Sequence, residues 1–357
     1  MLKTAPAVFA VENEYQIMVK CERECLFFLK VGDECYFDES NGIMRSICDV
    51  HRVSVPKKAL EKAKKYTVCI RPIIERKPYF TETEDLIEIE YKFFPVPKSG
   101  ARAYHISDAH NRVEGPIAAA KAFGDIDFLI LNGDVLDHSG EPERFDNIYQ
   151  LCSELLGGEK PAVFSRGNHD LRGNYAEKFA EYTPNHLGNT YYTFEIGSIW
   201  GLVMDCGEDK TDDHAEYGHT VACHSFRLRQ TEFLKRVIKE KKFAKKSIKH
   251  RLLVSHVPFS YKIEAPFDIE EEVYREWLSL IGENIKPDAF VCGHIHATEV
   301  WRKGCEYDTY GQPCDVVIGG THYNGGEFAG CGYIFSEDGI KVVFTNSQGE
   351  IISEERI

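Results

Sequence analysis

A chain of 357 residues with 43% hydrophobic and 28% charged content has the make-up of an ordinary globular protein, long enough for two or three domains. Its formal net charge of −14 argues against nonspecific binding to nucleic acid or to an anionic membrane, and no run of about 18 apolar residues is present to span one. An anionic substrate stays open, because bound divalent ions reverse the local field.

The opening stretch MLKTAPAVFAVENEYQ has one early lysine and a short apolar run that soon reaches Glu12. That is too brief for a secretory signal and predicts a cytoplasmic protein. YQIMVKC, CLFFLKV, YTVCIRPII and DLIEIEYKFF then read as short strands, separated by VGDE, ESNG and RKP. They predict a small all-β sandwich over residues 1–97, of immunoglobulin or fibronectin type. PVPKSG, Pro95 to Gly100, marks a junction, and residues 98–357 form the second unit.

Past that junction strands alternate with helices. RAYHIS precedes a helical GPIAAAKAF, DFLILNGD precedes ERFDNIYQLCSELL, and PAVFSRGN follows. The continuous apolar strands imply a parallel sheet covered on both faces, hence an α/β fold. TYYTFEIGSIWGLVMDC reads as a hairpin turning at Gly197 and Ser198. Next come a helix in SFRLRQTEFLKRVIKEKKF, strand HRLLVSH, helix EEEVYREWLSLIGENI, strand DAFVCGH and an antiparallel tail. The basic run KRVIKEKKFAKKSIKHR reads as the solvated face and end of a helix.

Twelve cysteines are scattered, several inside apolar runs such as FVCGH and AGCGY. They read as free thiols in a reducing compartment, with a bridge or two left open. Cys21 and Cys25 lie in KCEREC, and no cysteine pair has CxxC metal spacing.

Five apolar strands end in the same kind of residue. RAYHIS runs into Asp108 and His110, DFLILNG into Asp134, PAVFSRG into Asn168 and His169, RLLVS into His256, and DAFVCG into His294 and His296. In a parallel sheet those ends share one edge, where ligands bind. Imidazole with carboxylate suits Mn, Fe or Zn better than Mg or Ca. With His169 set beside them, seven donors are too many for one ion and suit two, roughly 3.5–4 Å apart and sharing a carboxylate. Gly133, Gly167 and Gly293 remove side chains where the chain turns beside them.

In this order DAH, GDVLD, GNHD, SH and GHIH resemble the calcineurin-like metallophosphoesterase family. The resemblance implies a four-layer α/β/β/α sandwich, preceded here by the small β-sandwich as in purple acid phosphatases. It implies that Asp108, His110 and His296 hold one transition or divalent ion (Mn, Fe or Zn), that Asn168, His256 and His294 hold another, and that Asp134 bridges them. It further implies hydrolysis of phosphate mono- or diesters by in-line attack of a hydroxide shared by the ions, with His169 as general acid. Asp137 resembles the second aspartate of GDxxD and is expected to orient His169. Arg172 and His322 are candidates to touch a small phosphate-ester substrate. GDVLD and DAH lack the tyrosine ligand of the purple enzymes, and GDVLDHSG lacks the phosphate-gripping arginine of protein phosphatases. The alternative is a scaffold of this fold that binds metal or a partner without catalysis. Its relatives resemble the family with ligands lost, whereas every expected ligand is present here.

Overall fold

The computed structural model describes residues 1–40, 42–322 and 327–357, and of Glu39, Ser40 and His322 the backbone alone. Continuous apolar runs lie where both faces are covered. Arg102–Ile106, Phe128–Asn132 and Pro161–Ser165 are buried along nearly their whole length and pair in parallel. Ile199–Val203, His250–Val254, Ala289–Cys292 and Val316–Ile318 do the same in a second sheet, and Tyr192–Ile196 joins its edge through the expected hairpin.

Side-chain alternation divides these strands between cores. Phe128 and Ile130 face Val254, Val291 and Phe194 between the two sheets. Leu129 and Leu131 point the other way, onto Ala120, Phe123, Ile148 and Leu151 of helices Glu114–Phe123 and Asp146–Leu156. Leu253 and Phe290 pack outward against Phe233, Leu234 and Trp277 of helices Cys223–Glu240 and Glu271–Leu280. The order is therefore helix, sheet, sheet, helix. Asn132 ties the sheets together where they meet the strand ends: its buried Nδ2 donates to the Ser255 and Val291 carbonyls at 3.2 and 3.1 Å. Losing it would leave two buried acceptors unpaired, at about 1–3 kcal/mol each.

The N-terminal region is β-rich and forms a sandwich whose one layer belongs to the larger sheet. Cys25–Val31 alternates inward and outward, and with Lys65–Glu75, Ile87–Lys92 and Glu34–Phe37 it makes the smaller layer. Its Phe27, Leu29, Val68 and Ile70 pack on Ile17 and Val53. Those two residues lie on Glu14–Lys20 and Val50–Pro56, which pair with each other. Through Ala7–Val11, parallel to Pro161–Ser165, they continue the catalytic sheet to ten strands. The junction at residues 95–100 thus separates two stretches of chain that share one sheet. Among the described residues, no helix is long and apolar enough to cross a membrane.

Candidate metal centre

Parallel register brings the strand ends together. Ile106 lies beside Leu131, and Leu131 beside Phe164, so the turns after them leave the first sheet side by side. Val254 lies beside Val291 in the second sheet, which sets His256 next to the turn carrying His294 and His296. Asp108 (φ 55°), His110 (φ 44°), Asp134 (φ 48°), His294 (φ 68°) and His296 (φ 55°) all adopt left-handed backbone. That conformation costs an ordinary residue about 1–2 kcal/mol, and it persists only where neighbours impose it. Here main-chain bonds do so: Asp108 N donates to the Gly133 carbonyl at 3.1 Å, and His110 N to that of Asp134 at 2.9 Å.

Glycines keep the space between the turns clear. A Cβ on Gly133 would lie 2.6 Å from His256 Cγ, one on Gly293 2.7 Å from Asp108 Oδ2, and one on Gly167 against the Asp134 carboxylate.

The expected ligands fall into two adjoining groups. Asp108, His110 and His296 offer donor atoms within 4.8 Å of one another, and so do Asp134, His256 and His294. His256 Nε2 stands 3.1 Å from Asp134 Oδ2 and 3.7 Å from Asp108 Oδ1, and His296 Nε2 is 3.4 Å from the same Asp108 oxygen. Asn168 Oδ1 is 3.1 Å from His294 Nδ1. Asp108, Asp134, Asn168 and His256 are buried, while His296 reaches solvent.

Without an ion this arrangement is electrostatically frustrated. Burial pushes the Asp108 carboxyl up to about 7, with His256 pulling down and Asp134 pushing up. Burial also opposes charge on Asp134, yet His256, His169 and His110 hold it below the usual carboxylate range. Burial disfavours the His256 imidazolium, but Asp134 and Asp108 push it up to about 10. For His294, burial and the nearby His256 charge act together and push it down to about 4. The donor set fits a metal pair on one further observation. His256 Nδ1 bonds the Asn132 carbonyl at 2.8 Å, which turns its buried Nε2 toward the carboxylates, 3.1 Å from Asp134 Oδ2 and in no well-aligned hydrogen bond among the described residues. A proton or a cation must stand between them, and an ion serves both groups at once.

His169 lies at the rim, its Nε2 4.0 Å from Asp134 Oδ2. Its Nδ1 bonds Asp137, but at the main-chain carbonyl, at 3.0 Å. The expected carboxylate contact is therefore replaced: the Asp137 carboxylate is half-exposed and stands 3.6 Å from His110 Nδ1. The turn after Asp134 points the carbonyl inward and leaves the side chain at the mouth.

Arg172 reaches the rim as well, with Nη1 3.4 Å from His169 Nε2. Its guanidinium is held by Glu208 through two bonds of 2.9 and 3.0 Å, and by Asp209 and Glu216 at 3.6 and 3.3 Å. The backbone of His322 pairs with Phe328, and its side chain lies outside the described residues.

Sequence reasoning passed over Glu208 and Asp209 as individual site residues. Asn168 Nδ2 donates to Asp209 Oδ2 at 3.3 Å, which turns the amide oxygen toward His294. The signal was available, because MDCGED follows the strand Ile199–Val203 and leaves the second sheet at the same edge.

Fold and donor set together define a class, the metal-dependent hydrolases that carry a paired site between two sheets. The chain matches Calcineurin-like phosphoesterase over residues 101–298. A probable cyclic nucleotide phosphodiesterase of Rhodopseudomonas palustris is 27% identical over 208 residues, covering 57% of this chain and 69% of that protein. A purple acid phosphatase from yellow lupin (Lupinus luteus) seeds shares the fold with a TM-score of 0.61 at 12% identity, covering 98% of this chain and 73% of that one. A dimetal phosphatase from Danio rerio, 13% identical, covers 70% of this chain and 96% of its own at a TM-score of 0.43. The chain belongs to the calcineurin-like phosphoesterase family and is a phosphoric ester hydrolase.

Proposed function

We propose that the protein hydrolyses a phosphate diester of a small molecule, and that the paired donor groups at the strand ends carry the reaction. Asp108, His110 and His296 would hold one ion, Asn168, His256 and His294 the second, with Asp134 shared. When bound, two such ions supply Lewis-acid neutralisation of phosphate oxygens and lower the pKa of a water.

The protein's own groups do the rest. The Asp137 carbonyl holds the proton on His169 Nδ1, so the proton that an imidazolium gives up is the one on Nε2. That atom faces the centre and is placed to protonate a leaving oxygen, and Arg172 Nη1 then donates to the neutral Nε2. Asp209 fixes the Asn168 amide.

The choice of diester rests on charge. Arg172 and Lys210 are bound by Glu208, Asp209 and Glu216, so this pair of basic side chains is already outweighed by carboxylates. A monoester dianion asks for added positive charge at its free oxygens, whereas a diester carries a single charge. The Rhodopseudomonas palustris relative, by name a probable cyclic nucleotide phosphodiesterase, supports the same reading. A cytoplasmic setting belongs to the same proposal, supported by unbridged cysteines.

The test is turnover of bis-p-nitrophenyl phosphate against p-nitrophenyl phosphate by manganese-reconstituted protein. Faster diester cleavage is expected. Faster monoester cleavage reverses the substrate class, and inertness toward both with two ions bound returns the scaffold reading.

A further inference from the structure

The carboxylates around Arg172 and Lys210 are not equivalent. Glu208 is fully buried and takes Nε and Nη2 of Arg172, so it sets the plane of the guanidinium by itself. Asp209 is nearly buried and is committed to Asn168 Nδ2 at 3.3 Å, the Tyr217 hydroxyl at 2.8 Å and Lys210 Nζ at 3.0 Å. Glu216 differs: its side chain is 41% exposed, on the short turn Ala215–Tyr217. Its Oε1 is 3.3 Å from Arg172 Nη1, and its Oε2 is 3.0 Å from Lys210 Nζ.

The atoms that Glu216 takes are the ones a substrate would use. With Nε and Nη2 occupied, Nη1 is the part of Arg172 left for a ligand, and it also lies 3.4 Å from His169 Nε2. Nη1 carries two N–H groups, so the imidazole and Glu216 between them use both. Lys210 repeats the pattern, with Asp209 on one side of its ammonium and Glu216 taking a further N–H. The two oxygens of one carboxylate thus bridge two cations at the rim, as two free oxygens of a phosphate group would. A solvated surface ion pair is the ordinary reading of an exposed glutamate, and such a pair adds little to stability. That reading does not account for a further carboxylate on a guanidinium already fixed by two bonds, placed beside the proton donor assigned above.

We propose that Glu216 is a specificity-determining residue, whose carboxylate fills the anion position of the rim and disfavours the second negative charge of a phosphate monoester. This rests on the diester reading given above and names the residue that enforces it. The second ester group of a diester asks for no cation at the rim, so Glu216 keeps its place on Arg172 and Lys210. A monoester dianion brings a further charged oxygen, which must displace Glu216 or lie against it, and like charges set together are costly.

Glu216→Gln keeps the size of the side chain and removes its charge. Calorimetric titration of the manganese-loaded protein with inorganic phosphate should show affinity raised about tenfold, while dimethyl phosphate, a monoanion, binds as it does to wild type. The ratio of kcat/KM for p-nitrophenyl phosphate to that for its bis-ester should rise by a similar factor, with manganese content unchanged. Glu216→Asp, which retains the charge, should stay near wild type on both measures. Unchanged phosphate affinity in Glu216→Gln overturns the proposal. So does an equal gain for phosphate and dimethyl phosphate, or a loss of manganese, which would make Glu216 a structural support. Wild-type protein that is faster on the monoester overturns the diester reading instead, and the phosphate titration still decides the part played by Glu216.

Discussion

The strand-end centre draws on carboxylates, an amide and imidazoles, and it opens to water, with the His296 and His169 side chains 39% and 30% exposed. The cluster around His51 in the N-terminal sandwich, where Cys25, Cys48 and Asp38 adjoin the ring and Cys21 adjoins Cys25, draws on thiols and is shut, with Cys21, Cys25 and His51 at 0% exposure. Each uses a carboxylate to charge or orient a histidine, so the residue types overlap. Access separates them: donors that open on water can meet a substrate, while a closed cluster bonded within itself joins the two layers of the sandwich. Backbone tells the same story. Five residues of the open centre sit in left-handed conformations, whereas none of the five cluster side chains does. Strain is spent where a ligand must be aimed at something other than a neighbour in the same fold.

The sharpest break of this contrast is Asp134→Ala. Its carboxylate adjoins His256 at 3.1 Å and approaches His110 and His169 at 4.0 Å, so one substitution removes a donor from both halves of the centre. Turnover should fall to background and manganese stoichiometry from two toward one or none. Retention of two ions would show that Asp134 is not shared between the two halves. His169→Ala comes next, with an expected loss of about 10²–10⁴-fold in kcat at unchanged metal content. A fall in bound metal would make His169 a ligand instead of a proton donor.

The open centre was legible in the sequence because parallel strands place their carboxyl ends together whatever the intervening chain does. Asp108, Asp134, Asn168, His256 and His294 each follow an apolar run, and the structure gathers all five. The N-terminal strands were less legible. Alternation in CLFFLKV reveals a covered face but not which strand is its neighbour, and nothing in AVFAV announces a parallel pairing with Pro161–Ser165. Helix Lys57–Ala63 was absent from the expected all-β region for a related reason: seven residues with one buried side chain leave almost no periodic signal. The Asp137 contact was hidden at a finer level, since a motif names a side chain and the structure uses its carbonyl. The His51 cluster was illegible because its members arrive from separate segments, and pairwise spacing is a local rule.

Asp209→Ala asks how far the open centre depends on groups behind its ligands. Freed from its bond to Asp209, the Asn168 amide can rotate, and outer-partner losses of this kind cost about 10–100-fold in metal affinity or activity. A metal titration followed by isothermal calorimetry should show one of two sites weakened. Unchanged affinity at both would assign Asp209 to holding Arg172, Lys210 and Tyr217.

The smallest expected effect concerns a third kind of histidine, one with neither an ion nor a carboxylate. His105 is fully buried on strand Arg102–Ile106, and neither ring nitrogen has a hydrogen-bond partner among the described residues. Burial, aided by the His256 charge, pushes it down to about 3. The unfolded chain protonates this residue near ~6.5, so between those values the unfolded state binds more protons than the native one. Stability from this residue is therefore present in full above about 6.5 and is lost as pH falls toward the folded value. His105→Leu, which keeps the apolar contacts, should flatten the acid limb of a urea-midpoint profile between pH 7 and 5 and leave the neutral midpoint within about 1.5 kcal/mol of wild type. His51 carries the same ring into the same degree of burial, yet its carboxylate and thiols, against the pull of burial, hold it well above the ordinary value. An unchanged acid limb in His105→Leu would show that the ring is hydrated in solution, and burial alone would no longer distinguish it from the two histidines that are held in place by charge.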